Sequence, residues 1–220
     1  MLENMIKIWM KYDYVFINGL VGTLWLAAIT VFFGTILGTL IAMMRLSKVK
    51  VLHVFTAAYI EVLRGTPILL QLYFFWLLLP KIVPFTMSDT ACIIVALIVN
   101  SSSYVAEVIR AGIQAVDKGQ TEAAKSLGLS DRNTMRYIIL PQAVKNILPA
   151  LGNEFVVMVK ETSLASVFFV GELMTAYKTV QSTTFLAIPT LTIVGIIYFI
   201  VTFALSKLLK VFERRLQASD

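Results

Sequence analysis

Four runs of apolar residues dominate this sequence, and each is long enough to cross a bilayer hydrocarbon core of about 30 Å. They cover residues 15–44, 51–79, 87–109 and 186–209. Hydrophobic residues make up 58% of the 220 residues and charged residues only 15%, with a mean hydropathy of +0.82. A soluble domain of this length is far less apolar. The sequence therefore predicts an all-α polytopic membrane protein.

A fifth span is predicted over residues 147–171, although Glu154, Lys160 and Glu161 interrupt it. Strongly apolar stretches flank these charges on both sides, at 155–159 and 164–170. Because a charge in hydrocarbon is costly, it normally faces a cavity or a partner. We therefore interpret this segment as a membrane span with a polar centre.

Positive charge predicts how the spans are oriented, because cytoplasmic loops carry an excess of lysine and arginine. Thirteen of these residues lie after the first span, after the third span and at the C-terminus, against four on the opposite side. Five spans fit this alternation, with the N-terminus outside and the C-terminus in the cytoplasm. The net charge of +6 is accounted for by these loops, so the chain needs no nucleic-acid partner.

Two further patterns bear on packing and domain organisation. Gly34 and Gly38 form a small-xxx-small pair that predicts close approach of the first span to another helix. No internal repeat or linker divides the chain, so residues 1–220 are predicted to form a single domain.

A polar island between the third and fourth spans predicts two short helices joined by a bend. Residues 119–127 favour a helix, Gly128 suits a left-handed cap, and Ser130 can cap a second helix that starts at Asp131. Pro141 is predicted to end that second helix. One side of the pair is apolar and the other charged, which fits either a surface that docks into a groove or an amphipathic hairpin lying on the bilayer.

Three polar clusters interrupt the spans: residues 64–67 (Arg-Gly-Thr-Pro), 100–103 (Asn-Ser-Ser-Ser) and 160–163 (Lys-Glu-Thr-Ser). Counting about 1.5 Å per residue from the span ends places all three near the membrane midplane. The free amide groups of a broken helix can bind a carboxylate, and Lys160 and Glu161 offer both signs of charge. The clusters therefore predict a single site for a zwitterion such as an amino acid.

Other interpretations of these charges stay open. Lys160, Glu161 and Arg64 could instead neutralise one another in an internal ion-pair network. Glu107 and Arg110, three residues apart, are expected to form a local helical pair.

Several motifs resemble those of ABC-transporter permeases that have an EAA loop, and more narrowly the polar amino acid importer branch. The resemblance runs from about Gly19 to Glu213. It rests on the following residues, in this order: Leu63 to Pro67 with Gln71, Tyr104 with Ala106, Glu107 and Arg110, Glu122-Ala123-Ala124 with Gly128, Ile138 and Leu140 to Ala143, and Lys160 with Thr162 to Leu164.

The resemblance implies a permease subunit of an ATP-driven importer in the bacterial inner membrane. Two such subunits, identical or homologous, pair around a central path. An external binding protein delivers the substrate, and cytoplasmic ATPase subunits bind ATP with Mg. The loop 116–141 would dock on the ATPase through Glu122, Ala123, Ala124, Gly128, Ile138, Leu140 and Pro141. The substrate site would comprise Gly65, Thr66, Asn100, Ser103, Lys160 and Glu161.

Two departures from the family pattern leave the substrate open. Many members of the branch have aspartate where this chain has Glu161, and small apolar residues where it has Ser102 and Ser103. These differences lie beside the expected site. The sequence does not choose among basic amino acids, glutamine, cystine and histidine.

Other functional classes fit less well. A secondary transporter or channel for a small polar solute would also have polar breaks at the midplane, but it usually needs repeated halves or more spans. The only histidine, His53, and the only cysteine, Cys92, provide little for an enzyme or a metal site, and no catalytic or metal-binding residue is expected. The sequence has no Gly-x4-Gly-Lys-Ser/Thr loop, so ATP hydrolysis is expected from a partner, with no cofactor in this chain.

Overall fold

A computed structural model describes residues 1–217, and this part of the chain contains helices and no strand. Nine α-helices follow one another: α1 Leu2–Leu46, α2 Lys50–Gly65, α3 Ile68–Ile82, α4 Asp89–Gln114, α5 Lys118–Ser126, α6 Asp131–Thr134, α7 Leu140–Glu161, α8 Leu173–Thr184 and α9 Ala187–Gln217. A π-helical turn, Met135–Ile139, precedes α7, and a 3₁₀ helix, Thr162–Phe168, follows it. The all-α fold class is confirmed.

Three helices, α1, α4 and α9, are long and apolar enough to cross a membrane, and α2 with α3 would make a fourth crossing if the bent pair is one span. The polar-centred span predicted over 147–171 corresponds to α7 and the 3₁₀ helix, and it is not among these candidates. The number of five spans and the orientation of the termini therefore stay predictions.

The centre of the bundle lies where α1 packs along α4. A methyl group on Gly34 would lie 2.9 Å from Ser101 Oγ, and one on Gly38 would lie 2.7 Å from the carbonyl oxygen of Ser102. Only a hydrogen at these positions allows the two backbones to come so close. The predicted close approach at this glycine pair is confirmed. Around it, α1, α3, α4 and α7 share the main core, which includes Leu26, Leu72, Ile93, Leu97 and Met158.

Helix α8 was not anticipated from the sequence. Its start is fixed by the buried Glu172, whose carboxylate accepts hydrogen bonds from the backbone N–H groups of Met174 and Thr175 at 2.7 and 2.6 Å. Phe185, with a left-handed φ of 57°, ends the helix. A second core forms here, between α8, α9 and the N-terminal half of α1, around Phe16, Leu173, Val180 and Val194.

The expected helix end at Pro141 is wrong. The chain stays helical from α6 through the π turn into α7, and Pro141 lies in the first turn of α7. In the π turn the backbone N–H of Leu140 bonds to the carbonyl of Met135, five residues back. The chain stays helical through this wider turn even though Pro141 lacks a backbone donor.

Candidate functional site

The break between α2 and α3 is the structural origin of the site. Helix α2 ends at Gly65, Thr66 is extended with φ −120° and ψ 147°, and α3 starts after Pro67. Proline has no backbone N–H and forces the preceding residue out of the helical region, so the helix cannot continue through it. The two helix axes differ by 111°. The break predicted at Arg64 to Pro67 is confirmed.

Gln71 provides hydrogen bonds for the carbonyl groups that the break leaves without helical partners. Its side-chain nitrogen donates to the carbonyl oxygens of Leu63 and Thr66 at 2.7 and 3.1 Å, and to Thr66 Oγ1 at 2.9 Å. The Thr66 hydroxyl in turn donates to the carbonyl of Val62 at 2.8 Å. Since a buried unpaired carbonyl is costly, Gln71 stabilises the broken conformation.

Helix α4 is joined to this break by a hydrogen bond from Asn100 Nδ2 to Gln71 Oε1, over 2.8 Å. Both side chains are buried. Ser103, one turn further along α4, donates its hydroxyl to the carbonyl of Asn100 at 2.7 Å. The first and second polar clusters of the sequence therefore form one network.

A cavity of about 280 Å³ lies between the break, α4 and α7. It is lined by polar groups of Thr66, Asn100, Tyr104, Glu154 and Glu161, together with Pro67, Ile68, Val157 and Met158. Glu154 is 8% exposed and accepts a hydrogen bond from Ser101 Oγ at 3.1 Å. The cavity thus offers hydroxyl, amide and carboxylate groups within a mostly apolar wall.

The six residues expected to bind substrate do not all meet in this cavity. Thr66, Asn100 and Glu161 line it. Gly65 lies exposed at the break with open space around its α-carbon, and the Ser103 hydroxyl is directed to its own helix.

Lys160 lines a different cavity, of about 400 Å³, with Ser163, Ser166 and Tyr198 among its neighbours. Consecutive residues of an α-helix point about 100° apart, so Lys160 and Glu161 face different sides of α7. Within residues 1–217, no ion pair joins Lys160, Glu161 and Arg64, which leaves the alternative of an ion-pair network among them unsupported.

The nearby arginines have other partners. The guanidinium of Arg64 lies over the ring of Tyr104, 5.4 Å from its centre. Arg110 Nε donates to Glu107 Oε2 at 2.9 Å, so the expected local pair is present.

Sequence reasoning did not assign Gln71, Tyr104 or Glu154 to the site. The sequence does contain a signal for Glu154, because it is a carboxylate inside an apolar segment. However, it lies nearly two helical turns before Glu161, away from the polar cluster at residues 160–163. Gln71 is a single polar residue within an apolar run, and only its contacts show that it closes the break.

The polar island forms the predicted bend. Asp117 caps α5 by accepting from the N–H of Gly119 at 2.7 Å, and Ser130 caps α6 by accepting from the N–H of Asn133. At the end of α5, Gly128 N–H bonds to Lys125 O at 2.9 Å and Leu129 N–H to Ala124 O at 3.1 Å. This pair of bonds is a Schellman motif, and it requires the left-handed φ of 83° seen at Gly128.

Most of the bend is exposed, including Glu122, Ala123, Gly128, Leu140 and Pro141, whereas Ala124 is buried and Ile138 is half-buried. Leu127 at the tip is 82% exposed. Met135, Tyr137 and Leu140 of the same loop are also exposed, and several large apolar side chains exposed on one charged loop are typical of an interaction surface.

An ion pair ties the two short helices together. Lys125 Nζ lies 3.0 Å from Asp131 Oδ1, and Lys48, from the connection between α1 and α2, lies 4.0 Å from Asp131 Oδ2. The hydrogen bond from Lys125, and then the charges of Lys125 and Lys48, lower the pKa of Asp131 below its ordinary value. All three side chains are exposed, so salt will weaken the interaction.

A bundle of long apolar helices, with polar groups gathered at a cavity beside a broken helix and an exposed two-helix loop, is typical of a membrane transport protein. More particularly, the family model for binding-protein-dependent transport system inner membrane components matches residues 34–218, and the chain belongs to that family. The resemblance seen in the sequence motifs is confirmed. The chain is a permease subunit of an ABC importer, a transport component whose ATP hydrolysis is carried out by a partner ATPase.

Similar proteins are known across almost the whole chain. The arginine transport system permease protein ArtQ of Bacillus subtilis is 36% identical over 93% of this chain and 93% of its own. The glutamine transport system permease protein GlnP of Escherichia coli K12 is 35% identical over 91% of this chain and 92% of its own. A solved amino acid ABC transporter with histidines is 46% identical, with a TM-score of 0.90 over 94% of this chain and 96% of that chain.

Proposed function

We propose that this chain forms the translocation path for a polar amino acid in the importer to which it belongs. The observation that carries the proposal is the cavity at the break between α2 and α3, because it brings hydroxyl, amide and carboxylate groups together and a small polar solute crossing a membrane needs such partners. The names of the similar arginine and glutamine permeases support an amino acid as the substrate class.

Within this cavity, the start of α3 and Glu161 are the proposed contacts for the two charged ends of the substrate. Pro67 and Ile68 line the cavity, and no side chain caps the N-terminus of α3. The free N–H groups there suit a carboxylate, and the Glu161 carboxylate suits an ammonium group. Thr66 and Asn100 add a hydroxyl and an amide to the same wall.

The other three expected site residues have different roles in the proposal. Gly65 ends α2 beside the break, and Ser103 supports Asn100 by donating to its backbone carbonyl. Lys160 faces a separate cavity, so direct contact between Lys160 and the same substrate molecule stays a prediction.

The proposed topology is one domain over residues 1–220 with five spans, the N-terminus outside and the C-terminus in the cytoplasm. It is supported by the distribution of lysine and arginine along the sequence. The inner membrane of a bacterium is the proposed location, in keeping with the family description.

The loop 116–141 is the proposed contact with the cytoplasmic ATPase. Its support is the hydrogen-bonded Schellman bend at Gly128, which places the exposed apolar side chain of Leu127 at the tip of the loop. ATP, with Mg, would bind to that partner. The proposed complex also contains a second permease, either another copy of this chain or a homologue, and an extracytoplasmic binding protein.

A transport assay on the native complex tests the proposal. The tagged chain is isolated from its own membranes with the subunits that accompany it, reconstituted in proteoliposomes, and supplied with labelled arginine or glutamine. We expect Glu161→Gln to reduce ATP-driven uptake at least about tenfold, the factor for losing a charge-assisted hydrogen bond, while ATP hydrolysis continues in part. Lys160→Gln tests the second cavity in parallel, and Glu3→Gln, at an exposed end of α1, is the matched control.

Unchanged uptake in both the Glu161 and the Lys160 variants would rule out the proposed substrate site. Uptake by the chain alone, without an ATPase or ATP, would instead support a secondary transporter or channel.

A further inference from the structure

A groove between α7 and α9, on the outer surface of the bundle, is separate from the cavity described above. The two helices touch where Gly152 faces Leu209, so closely that a methyl group at Gly152 would collide with the leucine side chain. Beside this contact lies an open groove of about 570 Å³. Its polar lining consists of Asn146, Asn153, Ser206, Lys210 and Glu213. A groove of this size is within the range of small-ligand sites.

The charged groups of this groove are not paired with each other. Lys210 and Glu213 are three residues apart on α9, a spacing at which opposite charges commonly pair. Yet no ion pair joins them among residues 1–217, and no hydrogen bond there engages the side chains of Asn146 or Asn153. Among the described residues 1–217, the groove therefore presents one cation, one anion and two amides without a side-chain partner.

The depth of the groove matches the level of lipid headgroups. Helix α9 begins at Ala187, and Ser206 follows 19 residues later, at about 1.5 Å per residue. That distance, about 29 Å, is close to the thickness of the hydrocarbon core. Large apolar side chains on the preceding turns of α9 are exposed, including Phe199, Ile200 and Phe203, as expected for a surface against acyl chains.

We propose that this groove binds the phosphoethanolamine headgroup of a membrane phospholipid. Lys210 would bind the phosphate, with Asn146 and Asn153 as further donors, and Glu213 would accept hydrogen bonds from the ammonium group. The two opposite charges, free and adjacent, are complementary to a zwitterionic headgroup. An anionic headgroup such as phosphoglycerol would leave Glu213 without a cationic partner. This inference goes beyond the transport function and does not depend on the substrate.

Native mass spectrometry of the full chain in detergent tests the site with three lipids of identical acyl chains: phosphatidylethanolamine, phosphatidylcholine and phosphatidylglycerol. We expect phosphatidylethanolamine to bind more tightly than phosphatidylcholine, whose quaternary ammonium has no N–H to donate. Glu213→Gln should reduce this preference about threefold, the factor for an exposed charge pair. Lys210→Gln should weaken both lipids to a similar extent, because both contain the phosphate.

Lys207→Gln is the matched control, since Lys207 lies over the ring of Phe203 and does not line the groove. It removes the same charge one turn away and should leave the lipid preference unchanged. Equal binding of phosphatidylethanolamine and phosphatidylcholine, tighter binding of phosphatidylglycerol, or an unchanged preference in Glu213→Gln would overturn the proposal. The proposal would also be overturned if the groove variants changed the monomer to dimer ratio without changing lipid binding. That result would identify the groove as an interface between copies of the chain.

Discussion

The side-chain amide of Asn100 donates to the side-chain carbonyl of Gln71 over 2.8 Å, and this bond links the broken helix to the centre of the bundle. Gln71 uses its other end, the NH₂ group, to bond the carbonyls of Leu63 and Thr66. One side chain therefore closes the break and fixes its position relative to α4. The shape of the candidate site depends on it.

Replacing Gln71 with leucine should destabilise the chain, because it leaves the buried carbonyl of Leu63 and the amide of Asn100 without partners. Each such group costs about 1–3 kcal/mol. The buried Cys92 is the only cysteine, so a thiol-reactive dye can follow unfolding of the core during heating. We expect a lower melting temperature for Gln71→Leu.

Gln181→Leu is a suitable control for that experiment. Gln181 is half-buried on α8, and no side-chain hydrogen bond engages it among residues 1–217. Equal melting temperatures for the two variants would mean that the Gln71 hydrogen bonds contribute nothing net.

The contact between α1 and α4 gives a second prediction. Gly38→Ala should destabilise the protein by about 1–3 kcal/mol, the usual cost of overpacking, because the new methyl group would lie 2.7 Å from the carbonyl oxygen of Ser102. In an open helical position the same change is favourable by up to about 1 kcal/mol. Gly195 is such a position, with no atom within 4 Å of the added carbon.

The two alanine variants should therefore change the melting temperature in opposite directions. Loss of stability at both glycines would point to a general requirement for helix flexibility and would contradict the close-packing explanation.

Local features of this fold could be predicted from the sequence because neighbouring residues determine them. The Schellman bend needs only Gly128 after a short helix, and the break between α2 and α3 needs only Pro67 and the residues before it. The glycine pair in α1 was predicted in the same way, from spacing alone. For the bend and the break the physical cause lies within a few residues of the feature, whereas the spacing of the glycine pair predicts close approach without identifying α4 as the partner helix.

Features that depend on distant contacts were missed or misassigned. Lys160 and Glu161 are adjacent in sequence, but the direction that each side chain takes depends on which helices surround α7. Helix α8 is held by the buried Glu172 and by a bond from the Leu173 N–H to Thr23 of α1, 150 residues away. Pro141 was expected to end the second short helix, because a single sequence does not show that a π turn will precede it and let the chain stay helical.

The ion pair in the loop predicts a dependence on pH. The lowered pKa of Asp131 means that the folded loop favours the ionised carboxylate. Any stabilisation from it is present above the ordinary pKa of an aspartate and is lost as the pH falls through the lowered pKa. Lys125→Gln should raise the pKa of Asp131 toward its ordinary value, and Lys48→Gln should raise it less, since Lys48 lies farther away.

NMR titration of the chain with labelled aspartate measures this pKa, with Asp131→Asn to assign the signal. The difference between the two lysine variants should shrink in high salt. A larger effect of Lys48→Gln than of Lys125→Gln would show that the pair with Lys125 does not form.

Gly128 provides the most direct test of the loop as a coupling element. With φ at 83°, a β-branched residue is strained there, and the left-handed conformation costs an ordinary residue about 1–2 kcal/mol. Gly128→Val should therefore distort the bend that displays Leu127, while the core helices, which do not touch Gly128, keep their stability. In proteoliposomes with the native ATPase, we expect ATP hydrolysis to continue with little amino acid uptake.

Gly128→Asn is the matched control, because asparagine tolerates the left-handed region better than other residues with a side chain. It should retain most of the transport that Gly128→Val loses, at the same abundance and melting temperature. Normal uptake by Gly128→Val would mean that the bend is not needed for coupling. Equal loss in both variants would instead indicate that any side chain at this position obstructs the docked partner, since no atom of residues 1–217 lies within 4 Å of the added carbon.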